Sequence, residues 1–186
     1  FDTGPANAPI DRLARVCSKG KYDFDPDGKL ARKGKIDEAL VKKLLREDAF
    51  IRRLPPKSTG TESYGEPFVK KLLKSKKSFD ALACATEFVA RSISISLETF
   101  VSRGEALEIV VAGGGTQNKF LIERLREAVQ PSKVTISDDY GVPWYAREAM
   151  AFAILANDSL FGLPTSLPGV SGGSRAVTLG KMSFPD

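Results

Sequence analysis

The sequence predicts an α/β fold that is rich in helices and has few strands. Three observations carry that prediction. A short apolar run, Leu107 to Ala112, breaks at Gly113-Gly114-Gly115 and passes into Lys119–Leu125, where apolar residues return at helical spacing. A second short run, Lys133–Ser137, follows that helix, so two strands flank one helix and should run parallel. Elsewhere the apolar residues recur every three or four positions, the period of amphipathic helices.

The chain opens on Phe1-Asp2-Thr3-Gly4-Pro5-Ala6-Asn7, a turn-rich stretch with one carboxylate. Ile10, Leu13, Ala14 and Val16 predict a short helix over Ala8–Val16, with Pro9 in its first turn and Lys19-Gly20 as its stop. Tyr22–Gly34 reads as a loop containing Asp23, Asp25, Asp27 and Gly28. Asp37 caps a helix over Glu38–Glu47, with Leu40, Val41, Leu44 and Leu45 on one face. Pro55-Pro56-Lys57-Ser58-Thr59-Gly60 forms a rigid loop, and Glu66–Leu73 a short helix. Ser78–Phe100 is a long helix despite its alternating Ser-Ile-Ser-Ile-Ser section, because its length exceeds that of ordinary strands. The helix after the glycines runs from Lys119 to about Val129 and ends before Pro131. Trp144–Phe161 is a long apolar helix with Glu148 near its start, Gly162–Gly173 a loop, and Ala176–Met182 a last strand.

At 186 residues the chain can bury one core, and residues 1–186 are expected to form one domain. No apolar run approaches the roughly 20 residues needed to span a bilayer. The start has no basic segment leading into an apolar one, so a cytoplasmic protein is expected. Cys17 and Cys84 are isolated, which fits a reducing compartment. The sequence has no histidine, which excludes Ser-His-Asp and Cys-His catalysis and every His-ligated metal site. The net charge of +5 is concentrated between Arg32 and Lys77, but acidic residues interleave there. A solvated helix face therefore explains it better than a nucleic-acid surface.

Two carboxylate motifs are excluded by their surroundings. Asp2-Thr3-Gly4 matches an aspartic-protease triplet, but that chemistry needs two carboxylates sharing a proton, and the chain has one such triplet in a helical context. Asp23, Asp25 and Asp27 alternate as in a calcium loop, yet Gly34 stands where the bidentate Glu belongs. The glycine turn is more informative. Glycines allow close backbone approach, and the following helix N-terminus favours an anion, so a nucleotide is the expected guest. Neither G-x-G-x-x-G nor the P-loop pattern is met, since Asn118 occupies the third glycine position; a plain strand-to-helix turn is the alternative.

Taken together, the ordered blocks resemble the C-terminal half of the 1,6-anhydrosugar kinases, the family of anhydro-N-acetylmuramic acid kinase and levoglucosan kinase. The blocks are Phe1–Asn7 with Asp11, Asp25-Pro26-Asp27-Gly28 with Gly34, and Pro55–Gly60 with Glu62. They continue with Gly113-Gly114-Gly115 and Asn118, Gly141, Glu148-Ala149, and Leu179-Gly180-Lys181. Each block is weak alone; the order and spacing over essentially the whole chain are specific.

The resemblance implies the C-terminal lobe of an actin-like, ribonuclease H-like sugar-kinase fold, with ATP and Mg2+ as cofactors and an anhydrosugar as substrate. It implies that Asp2 activates the water that opens the anhydro bridge, while the freed O6 takes the γ-phosphoryl group. Gly113, Gly114, Gly115 and Asn118 are implied at the nucleotide, and Gly4, Asn7 and Glu148 at the sugar. Two positions depart from the family pattern: Ala6 replaces a usual Gly, and Thr61 replaces a usual Arg. A third departure is the absence of the phosphate motif G-T-S-x-D-G, and the chain opens on Phe1 without Met. An N-terminal lobe is therefore expected to be missing, and the chain alone to be inactive. Exposed apolar surface should then favour self-association, in the simplest case as a homodimer. A non-catalytic remnant that binds nucleotide or a partner protein is the alternative.

Overall fold

The computed structural model describes residues 1–102 and 104–183, and the side chains of Thr61 and Ser171 lie outside that description. Helix α6, Ser78–Leu97, is the axis of the core. It is buried all round from Ala81 to Ala90, which suits its run of Ala81, Ala83, Ala85 and Ala90 between Leu82, Phe88 and Val89. Small residues let four helices approach it closely. These are α1 (Ala8–Cys17), α2 (Glu38–Glu47), α5 (Glu66–Ser75) and α7 (Lys119–Ala128). Two short helices, α3 (Ala49–Arg52) and α4 (Thr61–Tyr64), connect α2 to α5.

The core helix itself carries a buried charged group. Glu87 of α6 is 1% exposed, and its carboxylate accepts from Arg91 one turn on and from Arg124 of α7. Two guanidinium partners offset the desolvation of the buried charge and fix how α7 crosses α6.

Strands β1 (Glu108–Val111) and β2 (Lys133–Ile136) pair in parallel, with Glu108 opposite Lys133 and Val111 opposite Ile136. The parallel pairing expected from a strand–helix–strand order is therefore present. Asp37 caps α2 as expected, its carboxylate accepting from the Leu40 amide. The alternating aspartates diverge: Asp23 pairs with Arg15, Asp27 with Lys29 and Lys119, and buried Asp25 accepts from the amides of Leu30 and Ala31. Asp25 thus organises its own loop.

Three expectations need correction. The long helix yields after Leu97 to a π-turn over Glu98–Ser102, so it does not run regularly to Phe100. The apolar helix after the second strand, α8, spans Arg147–Leu160, and Trp144 lies outside it. Ala176–Met182 forms no strand; Val177 instead takes the amides of Thr165 and Ser166 on its carbonyl. An apolar period-two run makes a strand only when a partner edge is available, and here a folded-back loop supplies the donors.

Helix α8 and the segment after it are the least covered part of the chain. None of its described residues is buried, and Phe152 and Phe161 are 70% and 73% exposed. A last helical turn, α9, spans Pro168–Ser171.

Candidate functional site

The first seven residues join two cavities. At one end, the Asp2 amide donates to the Lys57 carbonyl at 3.0 Å. Its carboxylate Oδ2 accepts from Ser58 Oγ and from the Thr59 amide, both at 2.8 Å. Two sequence blocks separated by more than fifty residues thus meet at one oxygen. The Thr59 amide, then the Ser58 hydroxyl, stabilise the charged form and hold the Asp2 carboxyl below the ordinary aspartate range. The Asp2 side chain borders an open cavity of about 640 Å3 with Phe1, Arg53, Pro55 and Ser58.

The chain then turns across α6. Ser96 Oγ donates to the Thr3 carbonyl, and a β-carbon at Gly4 would lie 2.8 Å from Ser92 Oγ. Gly4 is needed for that close approach to α6. Ala6 has φ 46°, the left-handed region that disfavours a β-carbon, and its side chain is exposed. Its methyl therefore crowds nothing, and the cost of alanine here is backbone strain. Ala6→Gly is expected to stabilise the fold by about 0.5–1 kcal/mol, measured as a higher urea midpoint with an unchanged slope.

Asn7 brings the chain to the glycine turn. A β-carbon on Gly115 would stand 3.2 Å from Asn7 Oδ1. Gly113 has φ 90° and ψ −179°, open only to glycine, and its amide donates to the Trp144 carbonyl at 3.2 Å. Nothing lies within 4 Å of where β-carbons on Gly113 and Gly114 would stand. After a 3-10 turn over Gly114–Gln117, Asn118 Oδ1 accepts from the Leu121 amide and caps α7. Asn7, Gly114 and Asn118 border a second cavity of about 400 Å3, together with Asp11, Phe24, Asp25, Gln117 and Trp144; Gly113 and Gly115 do not line it.

Sequence reasoning missed Trp144, Phe24 and Gln117 as cavity walls. Trp144 was assigned to the following helix; its amide instead donates to Asp138 Oδ2, which ties it to the turn before α8. The sequence signal was Pro143, which favours a turn ahead of the helix. Asp11 is the cavity's exceptional carboxylate. No hydrogen bond or ion pair among the described residues engages it, and burial, reinforced by Asp25 and opposed by Arg12, raises its pKa to about 6. The folded chain therefore holds this proton more tightly than the unfolded chain, and Asp11 lowers stability as pH rises from about 4 to about 6. Asp11→Asn is expected to stabilise the chain by about 1–3 kcal/mol at pH 7 and to have little effect at pH 4, read from thermal unfolding at both pH values.

The structure thus brings together Asn7, Gly114 and Asn118 around one cavity and places Asp2 in the neighbouring one. Glu148 joins neither. It lies in the exposed first turn of α8, its side chain 81% exposed and 3.5 Å from Arg147.

A parallel strand, a glycine turn open to a cavity and a capped helix make a helix-rich α/β protein, with the geometry in which such folds bind anions. The family model described as anhydro-N-acetylmuramic acid kinase matches residues 1–185, and the chain belongs to that family. Proteins named anhydro-N-acetylmuramic acid kinase from Salinibacter ruber, Caldanaerobacter subterraneus and Synechococcus elongatus are 41%, 35% and 38% identical to it. The alignments cover 100%, 99% and 97% of this chain but 47%, 48% and 48% of those relatives. The chain spans about half the length of the curated relatives it matches.

Proposed function

We propose that this chain is the C-terminal, actin-like lobe of an ATP-dependent kinase that opens and phosphorylates a 1,6-anhydrosugar. The observation that supports this best is the single stretch Asp2–Asn7, which reaches an anchored carboxylate at one end and the glycine turn at the other. In this reading Asp2 takes a proton from water as the water oxygen bonds the anomeric carbon. The C1–O6 bond breaks, O6 bonds the γ-phosphorus of ATP, and ADP leaves. Two hydrogen bonds to Oδ2 favour the charged form of Asp2, which borders the open cavity.

The nucleoside end of ATP is assigned to the cavity of Asn7, Gln117, Asn118 and Trp144, where the bare α-carbon of Gly114 leaves room for close approach, and Gly113 and Gly115 are assigned to the nucleotide on the family resemblance. Gly4 shapes the turn between the two sites, Asn7 bridges them, and Glu148 is assigned to the sugar on the family resemblance alone. Magnesium is proposed to arrive with the ATP phosphates. Anhydro-N-acetylmuramic acid is the favoured sugar, in line with the names of the relatives, and levoglucosan the second.

Trp144 is the sole tryptophan of the sequence and borders the proposed nucleotide cavity. Its fluorescence should change saturably with ATP and ADP, and Gly114→Val should abolish the change. An ATP titration that leaves the emission flat while an independent assay detects binding would contradict this placement.

A further inference from the structure

Lys57 is a buried cation that the proposed chemistry does not use. It is 5% exposed, and its ammonium donates to the carbonyls of Phe50 at 3.1 Å and Ile51 at 2.8 Å, at the C-terminal end of α3. The rings of Phe50 and Phe100 lie 4.9 Å from its Nζ and that of Phe1 lies 5.6 Å away. Phe1 and Phe100 meet edge to face, closing the cage. The backbone of this residue holds the Asp2 amide, and the next two residues supply both donors to the Asp2 carboxylate. One side chain thus anchors the strap that carries the whole environment of Asp2.

We propose that Lys57 is a positioning residue for Asp2: its caged ammonium pins the Lys57–Thr59 strap to the end of α3 and so aims the carboxylate. This rests on the assignment of Asp2 as the base, but its test can be read without turnover. The ammonium is satisfied by fixed carbonyl dipoles and ring faces at the negative end of a helix. Methionine fills similar volume and offers neither charge nor donors, so the strap would lose its anchor.

The test is a carboxyl carbon NMR titration of Asp2 in the 186-residue chain, with the Thr59 amide proton as second reporter. In Lys57→Met, the Asp2 midpoint should rise towards the ordinary aspartate range and the Thr59 amide should lose its low-field shift. Phe100→Leu, which removes one ring and leaves the strap intact, should shift both reporters in the same direction by less. It serves as the decisive variant if Lys57→Met does not fold. In the full-length kinase, Lys57→Met should lower kcat on the order of 10²-fold, as expected for a misplaced catalytic group. Unchanged Asp2 and Thr59 signals in folded variants with lowered thermal stability would make Lys57 a purely structural residue and overturn the proposal. If Asp2→Asn kept full activity while the NMR shifts appeared, the kinase assignment of Asp2 would fail and the positioning by Lys57 would stand.

Discussion

If the proposed kinase assignment holds, replacing Asp2 by Asn in the full-length protein lowers kcat by roughly 10²–10⁴-fold, the usual contribution of a positioned general base. The substitution keeps the shape of the side chain. The Ser58 hydroxyl and Thr59 amide can still donate to the remaining amide oxygen, so the loop should hold its place. The affinity for ATP should change less than about twofold, because Asp2 and the proposed nucleotide cavity lie at opposite ends of the Asp2–Asn7 stretch. Steady-state kinetics with an equilibrium ATP titration separates the two effects. A loss in ATP binding matching the loss in kcat would make Asp2 a nucleotide residue. The pH profile offers a second check. Because Asp2 is held below the ordinary aspartate range, the acid limb of kcat that it sets should also fall below that range. The same hydrogen bonds contribute stability above the ordinary aspartate pKa, and that stability is lost as pH falls through the lowered one.

A large loss of stability, about 3–5 kcal/mol, is expected from Gly28→Ala. Gly28 has φ 71°, and its β-carbon would stand 2.3 Å from Phe120 Cβ, 2.5 Å from Asn118 Oδ1 and 2.7 Å from the Phe120 amide nitrogen. Two costs therefore add: left-handed backbone strain and overlap with the first turn of α7. The overlap falls on the Phe120 amide nitrogen and on Phe120 Cβ, which is fixed to the backbone and cannot rotate away as a flexible side-chain end would. It also falls on the Asn118 cap, so the damage should reach the glycine turn. Chemical denaturation should give the stability loss, and the Trp144 response to ATP should weaken in whatever fraction remains folded. Gly28→Ala with stability within about 0.5 kcal/mol of wild type would show that the Asp25 loop moves freely against α7.

The reach of the sequence differed from element to element. The Asp37 cap and the amphipathic helices were readable because each depends on residues within a few positions of one another, and the parallel pair because a strand–helix–strand order sets the direction of the second strand. The Asp2 environment was not. Its donors sit on a loop more than fifty residues away, and nothing in Ser58-Thr59 announces a carboxylate partner. Trp144 was assigned to a helix because apolar periodicity continued through it, whereas hydrogen bonds to Asp138 and Gly113 fix it outside. The Ala176–Met182 run shows the opposite failure: it has strand composition, but no edge receives it. Ala6 is the most instructive position. The resemblance identified it as a departure, and the backbone gives the reason, a positive φ on an exposed residue that owes its strain to the turn alone.

The central claim is that the Asp2–Asn7 stretch belongs to an anhydrosugar kinase site. Phosphorus NMR of the full-length protein with ATP and 1,6-anhydro-N-acetylmuramic acid tests it directly. The account predicts ADP and a sugar 6-phosphate with a free anomeric centre in equal amounts, and neither product with Asp2→Asn. Equal rates of product formation by wild type and Asp2→Asn, or ADP formed without any sugar phosphate, would contradict it.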